Sequence, residues 1–199
     1  WMALSNPYPA ILDVNKFLTT PSNASVLQGG CTYRFNGSSF DIDDAETGNI
    51  GITEGFFVNF ASPSANADDK KSVTFTKSQL KDYPTTAKGA KSSANEFIEL
   101  TLQNGNDKVR VYFAHNEDAE QGYDIFDANK LFSPVEIAEP YFVTNNIALV
   151  KEEVNTLPYY ATMNVRSFGN KEVKFKANYI PEGLSVSIID GEETIDLAE

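Results

Sequence analysis

Apolar and polar residues alternate along most of the chain, which is the pattern of half-buried β-strands. Two such runs, at residues 98–102 and 109–113, flank Asn104-Gly105-Asn106-Asp107 and therefore predict a hairpin. The same alternation predicts strands at residues 73–75, 161–165, 173–179 and 184–188. A turn at Asp190-Gly191-Glu192 then leads to a last strand at 195–197. Strands are expected over the whole length of the chain.

Helical patterns are short. Residues 13–18 have room for two turns, with Asp13 near the amino end, and residues 117–131 place Phe126 and Leu131 at a loose helical spacing that Gly122 interrupts. Residues 62–71 and 84–94 are rich in small polar residues and lysine, and they are expected to be surface loops.

The spacing of the strands predicts an all-β fold with a boundary between Ser133 and Pro140. We expect a jelly-roll-like β-sandwich over residues 1–134 and a smaller immunoglobulin-like β-sandwich over residues 135–199. No closing partner is visible for the last strand. The second sandwich is therefore expected either to lack a strand or to be completed by residues outside this chain.

Composition excludes several classes of function. With 41% hydrophobic and 22% charged residues among 199, the chain has the makeup of a folded domain. Asp and Glu number 28 against 16 Lys and Arg, and the net charge of −12 disfavours nucleic acid and anionic lipid as partners. The apolar runs are far shorter than the roughly 18 residues of a membrane span, so no membrane insertion is expected.

Catalytic motifs are missing from the sequence. Cys31 is the only cysteine and His115 the only histidine, which is weak support for a Cys–His nucleophile. The chain lacks GxSxG, HExxH and GxxxxGK[ST] motifs. Two carboxylates could still meet in a glycosidase-like pair, although nothing singles out which. The sequence favours a protein that is not an enzyme.

Two acidic segments carry oxygen ligands of the kind that calcium prefers. The first, residues 41–49, is expected to be either a calcium loop or, as we prefer, a solvated acidic turn. In the second, Asn116, Asp118, Asp124 and Asp127 follow a predicted strand and are the predicted calcium ligands. The alternative for these four is that their side chains cap local backbone amides. No cofactor other than calcium is expected.

Aromatic residues offer a further kind of site, because an exposed ring can stack on a sugar. The candidates are Trp1, Tyr8, Tyr33, Tyr112, Tyr123, Tyr141, Tyr159 and Tyr160. Most of them are better interpreted as packing residues of strands.

Four segments, taken in order, resemble one group of proteins. Residues 1–13, WMALSNPYPAILD, are similar to a GWNLVGNPYPSPIDW-type opening, and residues 54–58, EGFFV, to a QGFFVKA strand. Residues 113–132 resemble an FDEDATNGFDxxYDAYKLF signature, and residues 147–158 an LAINSLP strand. These motifs are typical of β-rich regions near the carboxyl end of large Bacteroidetes surface proteins. The resemblance implies a secreted or cell-surface protein. Proteins of this group are often adhesin-like, and many of them are exported by the type IX pathway.

The expected function is therefore a non-catalytic module of an extracellular or cell-surface bacterial protein, adhesive or structural. Its partners would be a surface glycan, a protein ligand or other domains of the same polypeptide. The alternative is a carbohydrate-binding module attached to a secreted degradative enzyme. Two or three coplanar aromatic side chains on one exposed sheet face would favour the alternative.

Overall fold

The structure, a computed structural model, describes residues 1–44, 48–61, 71–81, 97–169 and 172–197. Strands dominate, and the α-helices within these ranges are two short ones. The predicted all-β fold class is confirmed. No helix among the described residues is long and apolar enough to cross a membrane. The predicted loops at 62–71 and 84–94 lie almost entirely outside the described ranges.

The chain divides into two compact units at a point that differs from the predicted boundary. Unit 1 comprises Trp1–Asn36 and Phe40–Ser93, and unit 2 comprises Gly37–Ser39 and Ala94–Glu199. The physical reason is strand pairing: the hairpin at 98–115 joins one sheet with strands that follow residue 135. Whether either unit is a jelly roll or an immunoglobulin-like domain stays a prediction.

Unit 1 contains a four-stranded antiparallel sheet with the order β1-β6-β3-β4, and a small pair, β2-β5. Its elements are β1 (Met2–Ser5), β2 (Leu12–Asp13), α1 (Val14–Thr19), α2 (Pro21–Ala24), β3 (Leu27–Phe35), β4 (Phe40–Asp44), β5 (Asn49–Ile50), β6 (Gly55–Phe60) and a 3-10 turn at Lys77–Gln79.

The predicted helix at 13–18 is confirmed as α1. It begins after Asp13, whose carboxylate accepts a hydrogen bond from the Lys16 amide at 3.1 Å and so satisfies one of the free N–H groups of the first turn. Val14, Phe17 and Leu18 are buried in the core of unit 1, where the Phe17 ring meets Phe56 edge-on at 5.6 Å.

The strand predicted at residues 73–75 is wrong. Val73 and Phe75 lie in a segment without strand pairing, and both pack against the core, with Phe75 stacked on Phe17 at 5.2 Å. Their alternation reflects burial of two apolar side chains, which requires no backbone ladder.

Unit 2 is built on a seven-stranded sheet, in which β9 pairs with β11 beside the main order β12-β10-β11-β8-β7-β13, and on a separate hairpin, β14-β15. The strands are β7 (Ile98–Asn104), β8 (Asp107–His115), β9 (Ala128–Asn129), β10 (Glu139–Thr144), β11 (Ile147–Val154), β12 (Met163–Arg166), β13 (Lys174–Tyr179), β14 (Ser187–Asp190) and β15 (Glu193–Asp196). The predicted hairpin β7-β8 is confirmed, with pairing from Ile98↔Phe113 to Asn104↔Asp107. The last strand, β15, for which the sequence indicated no partner, pairs with β14 from Ser187↔Asp196 to Asp190↔Glu193.

The core of unit 2 explains the alternation in the sequence. Ile98, Leu100 and Val111 share the buried face of the β7-β8 hairpin with Phe142 and Leu149 from β10 and β11. Because β8 and β11 are parallel, the chain must cross between them, and residues 116–146 form that crossover. The acidic loop, residues 116–127, is its first part.

Candidate functional site

The acidic loop lies directly after β8, in the place that the sequence predicts, but without a helix. The described backbone at residues 116–127 consists of turns and bends. The helical interpretation of residues 117–131 is therefore wrong. Side-chain oxygens of Asn, Asp and Ser residues compete for backbone amides and favour turns over helix.

Side chains of the loop accept hydrogen bonds from the loop's own backbone. Asn116 Oδ1 accepts from the Asp118 amide at 3.0 Å, and the carboxylate of Asp124 accepts from the amides of Glu120 at 2.6 Å and Phe126 at 2.8 Å. Asp127 likewise accepts a hydrogen bond from a backbone amide, that of Asp124. Three of the four predicted ligands therefore bind backbone N–H groups through their side-chain oxygens. This is the capping arrangement that the sequence left open as the alternative to calcium.

Asp127 connects the loop to β11. It is fully buried, and its carboxylate accepts from the Asp124 amide and the Glu153 amide, each at 3.0 Å. Burial raises the pKa of Asp127 to about 6, against the lowering effect of these two hydrogen bonds. A group with this pKa changes its charge between mildly acidic and neutral pH.

β11 buries three consecutive charged residues, Lys151, Glu152 and Glu153. Successive strand residues point to opposite faces, so Lys151 and Glu153 share one face, where their charged groups lie 2.7 Å apart. Glu153 also accepts from the Asn116 side-chain amide at 2.7 Å. Sequence reasoning missed this cluster. The available signal was a run of charges that continues an apolar strand without a turn residue.

Glu152 faces the other side of the sheet. Its Oε1 accepts from the Thr144 hydroxyl at 2.5 Å and the Tyr159 hydroxyl at 3.2 Å, while its Oε2 is buried with no hydrogen-bond partner among the described residues. Burial raises the pKa of Glu152, and burial together with the Glu152 carboxylate raises the pKa of Tyr159. The Tyr159 ring stacks on Phe113 at 5.8 Å, which fixes the hydroxyl toward the carboxylate.

A second buried ionic network surrounds Glu139, which is completely inaccessible to solvent. Its carboxylate lies 3.1 Å from Lys130 Nζ and is paired with Arg166, the residue directly opposite on β12. It also accepts from the Ser133 amide and the Ser39 hydroxyl, each at 3.0 Å. The Glu139 carboxylate thus connects residues that are far apart in the sequence, from Ser39 to Arg166.

No group of three or more His, Cys, Asp or Glu side chains within the described ranges is arranged to hold a metal ion. Asp118 is exposed, and the other predicted ligands have the backbone partners described above. The calcium site at Asn116, Asp118, Asp124 and Asp127 stays a prediction. In the other acidic segment, Asp43 is engaged by Arg34, and residues 45–47 lie outside the described part of the chain.

Cys31 and His115 belong to different units. Cys31 is buried in β3, and His115 is exposed at the end of β8, where its ring approaches the Asn155 carbonyl at 3.1 Å. The aromatic candidates differ in their exposure to solvent. Tyr33 is buried with the Trp1 ring edge-on at 4.8 Å, and the Tyr141 ring packs against Phe132, whereas Tyr160 is 81% exposed.

Comparisons with protein-family models, with curated proteins and with solved structures find no match for this chain. The resemblance to Bacteroidetes surface proteins therefore stays a prediction, and the class that the structure defines is an all-β protein.

Proposed function

We propose that the chain is a non-catalytic module of an extracellular or cell-surface bacterial protein, with an adhesive or structural role. The observation that carries this proposal is the use of the buried charges of unit 2. Asp127, Glu139 and Glu153 each bind backbone amides or cations of their own unit. Buried charges that are paired in this way act on the stability of the fold, whereas a catalytic acid must reach a substrate.

The surface location rests on the four-segment resemblance. The partners proposed are a surface glycan, a protein ligand or other domains of the same polypeptide. Nucleic acid is not proposed, because a net charge of −12 repels a phosphate backbone at long range.

A glycan and matrix-protein array combined with a panel of chromogenic glycosides tests the proposal on the purified chain. We expect binding to at least one immobilised ligand and no turnover of any glycoside. Turnover of any glycoside by the wild type would overturn the proposal. Its loss in Glu152→Gln but not in Glu136→Gln would assign it to Glu152, which has a raised pKa and a carboxylate oxygen without a hydrogen-bond partner among the described residues, whereas Glu136 is exposed.

The alternative, a carbohydrate-binding module, is favoured by one specific observation, the 81% exposure of Tyr160 beside the stacked Tyr159. A ring of this kind can stack on a neutral sugar. Binding of a neutral polysaccharide that Tyr160→Ala abolishes would support the alternative. Binding that survives Tyr160→Ala would count against it.

A further inference from the structure

Strand register places four basic side chains on one face of the unit 2 sheet. Lys174 lies opposite Gln103 and Lys176 opposite Thr101, while on the other side of β7 Lys108 lies opposite Gln103 and Arg110 opposite Thr101. Residues opposite one another share a face. We call Lys108, Arg110, Lys174 and Lys176 the cationic face.

The four residues are close together. Two residues along a strand advance about 7 Å, and β8 and β13 are separated by two strand spacings of about 5 Å each. The four Cα positions therefore outline a rectangle of about 7 by 10 Å. The opposite side of these strands carries the buried Leu100, Leu102 and Val111, so the cationic face is the side of the sheet turned away from the core.

Acidic side chains neutralise this face only in part. Arg110 pairs with Glu99 at 2.9 Å. Lys174 lies 4.0 Å from Glu172, and the side chains of Lys174 and Glu172 are both largely exposed to solvent. A solvated pair at that distance contributes little. Lys108 and Lys176 are exposed and have no carboxylate within ion-pair distance among the described residues.

The net charge of −12 opposes the long-range approach of any anionic polymer, acidic polysaccharide as well as nucleic acid, but it does not prevent contact at this face. At physiological ionic strength charges are screened over about 8 Å. A ligand in contact with the cationic face therefore experiences mainly the lysines beneath it, while the remaining acidic charge acts at longer range.

The neighbouring side chains indicate the chemistry of the ligand. Beyond a register shift after Ala177, Tyr179, 51% exposed, pairs with Glu99, and the Asn178 side-chain amide donates to Glu99. The exposed Gln103 lies between Lys108 and Lys174. An exposed ring, an amide and several lysines match a polymer with sugar rings, hydroxyls and carboxylate or sulfate groups. We propose that the cationic face binds an acidic polysaccharide.

This inference rests on the proposed function and names the ligand class of the module. The test uses isothermal titration of the full chain with heparin and with polygalacturonate, with dextran as the neutral probe. The test variant is the double substitution Lys108→Ser and Lys176→Ser. The control is Lys77→Ser with Lys81→Ser, two exposed lysines of unit 1.

We expect at least one acidic polysaccharide to bind and dextran not to bind. Loss of two solvated charge contacts should weaken binding about 5- to 30-fold in the test variant, and the control should bind like the wild type. Added salt should weaken binding of the wild type more than that of the test variant. Unchanged thermal unfolding of both variants establishes that they are folded.

Several results would overturn the inference. These are the absence of binding to either acidic polysaccharide, equal weakening in the test and control variants, and equally strong binding of double-stranded DNA. Self-association of the wild type that the test variant abolishes would assign the face to a second copy of the chain instead. Each of these results rejects the acidic-polysaccharide site but leaves the proposed function standing if the array identifies another ligand. Glycoside turnover, in contrast, overturns the proposed function without changing the measured affinity for an acidic polysaccharide.

Discussion

Replacing Glu139 by Gln is the sharpest perturbation that the structure offers. The substitution keeps the shape of the side chain and removes one charge from the centre of the buried network. Lys130, whose side chain is 1% exposed, then remains buried 3.1 Å from a neutral amide. Arg166 is 31% exposed and can turn toward solvent, so the penalty falls mainly on Lys130.

The magnitude follows from the burial of that lysine. Two unit charges 3.1 Å apart attract by about 5 kcal/mol at an effective dielectric constant of about 20. Breaking a buried pair by removing one partner costs about 3–5 kcal/mol, because the remaining charge loses its counter-charge in the interior. We therefore expect Glu139→Gln to lower the free energy of unfolding by about 3–5 kcal/mol.

Urea unfolding followed by circular dichroism measures this change, with Glu136→Gln as the matched control on an exposed residue of the same segment. The control should lie within about 0.5 kcal/mol of the wild type. Lys130→Met and the double variant complete a thermodynamic cycle, in which the double variant should lose less stability than the sum of the single losses.

A loss below about 1 kcal/mol in Glu139→Gln, or losses of the two single variants that simply add, would refute the reasoning. Either result would mean that Lys130 reaches water or another partner and that the network is not closed around Glu139.

Three further predictions concern the acidic loop and α1. The Asp127 pKa of about 6 lies above its unfolded value, so the stability that its protonated form contributes, about 2–3 kcal/mol, is lost as pH rises from about 4 to 6. Urea midpoints should therefore fall across this pH range in the wild type and fall less in Asp127→Asn. An equal fall in both proteins would assign the pH dependence to other groups. If the loop binds calcium, excess calcium should raise the thermal midpoint relative to chelator, and Asp118→Asn with Asp124→Asn should abolish the rise; equal midpoints in the wild type would reject the site. Asp13→Ala should cost about 0.5–2 kcal/mol, because the Lys16 amide loses its acceptor, whereas Asp13→Asn should retain most of the stability; equal losses would exclude capping as the cause.

Much of the strand content could be predicted because alternation requires only that one face of a strand be buried. The hairpin of residues 98–115 has alternation on both strands and a turn sequence between them. Its prediction therefore used only local information. Phe75 alternates in the same way and forms no strand, since alternation reports burial and not hydrogen bonding.

The candidate site was predictable in place but not in its contacts. The sequence indicates an acidic loop after β8, and the loop is there. It does not indicate that Asp127 reaches the amide of Glu153, 26 residues later, or that Lys151, Glu152 and Glu153 are buried. These contacts arise because β11 is paired along both edges with neighbouring strands, while distant residues cover its faces: Asn116 contacts Glu153, and Tyr159 contacts Glu152.

The sequence by itself determined the all-β class, the position of the β7-β8 hairpin and the start of α1 near Asp13, because each depends on residues within one short segment. The tertiary structure alone decided how the strands are ordered and which charges are buried together. Glu139, for example, meets Lys130, Arg166 and Ser39 through sheet pairing and loop placement. Local pattern carries no information about such partners, because the free energy that selects them comes from contacts between distant parts of the chain.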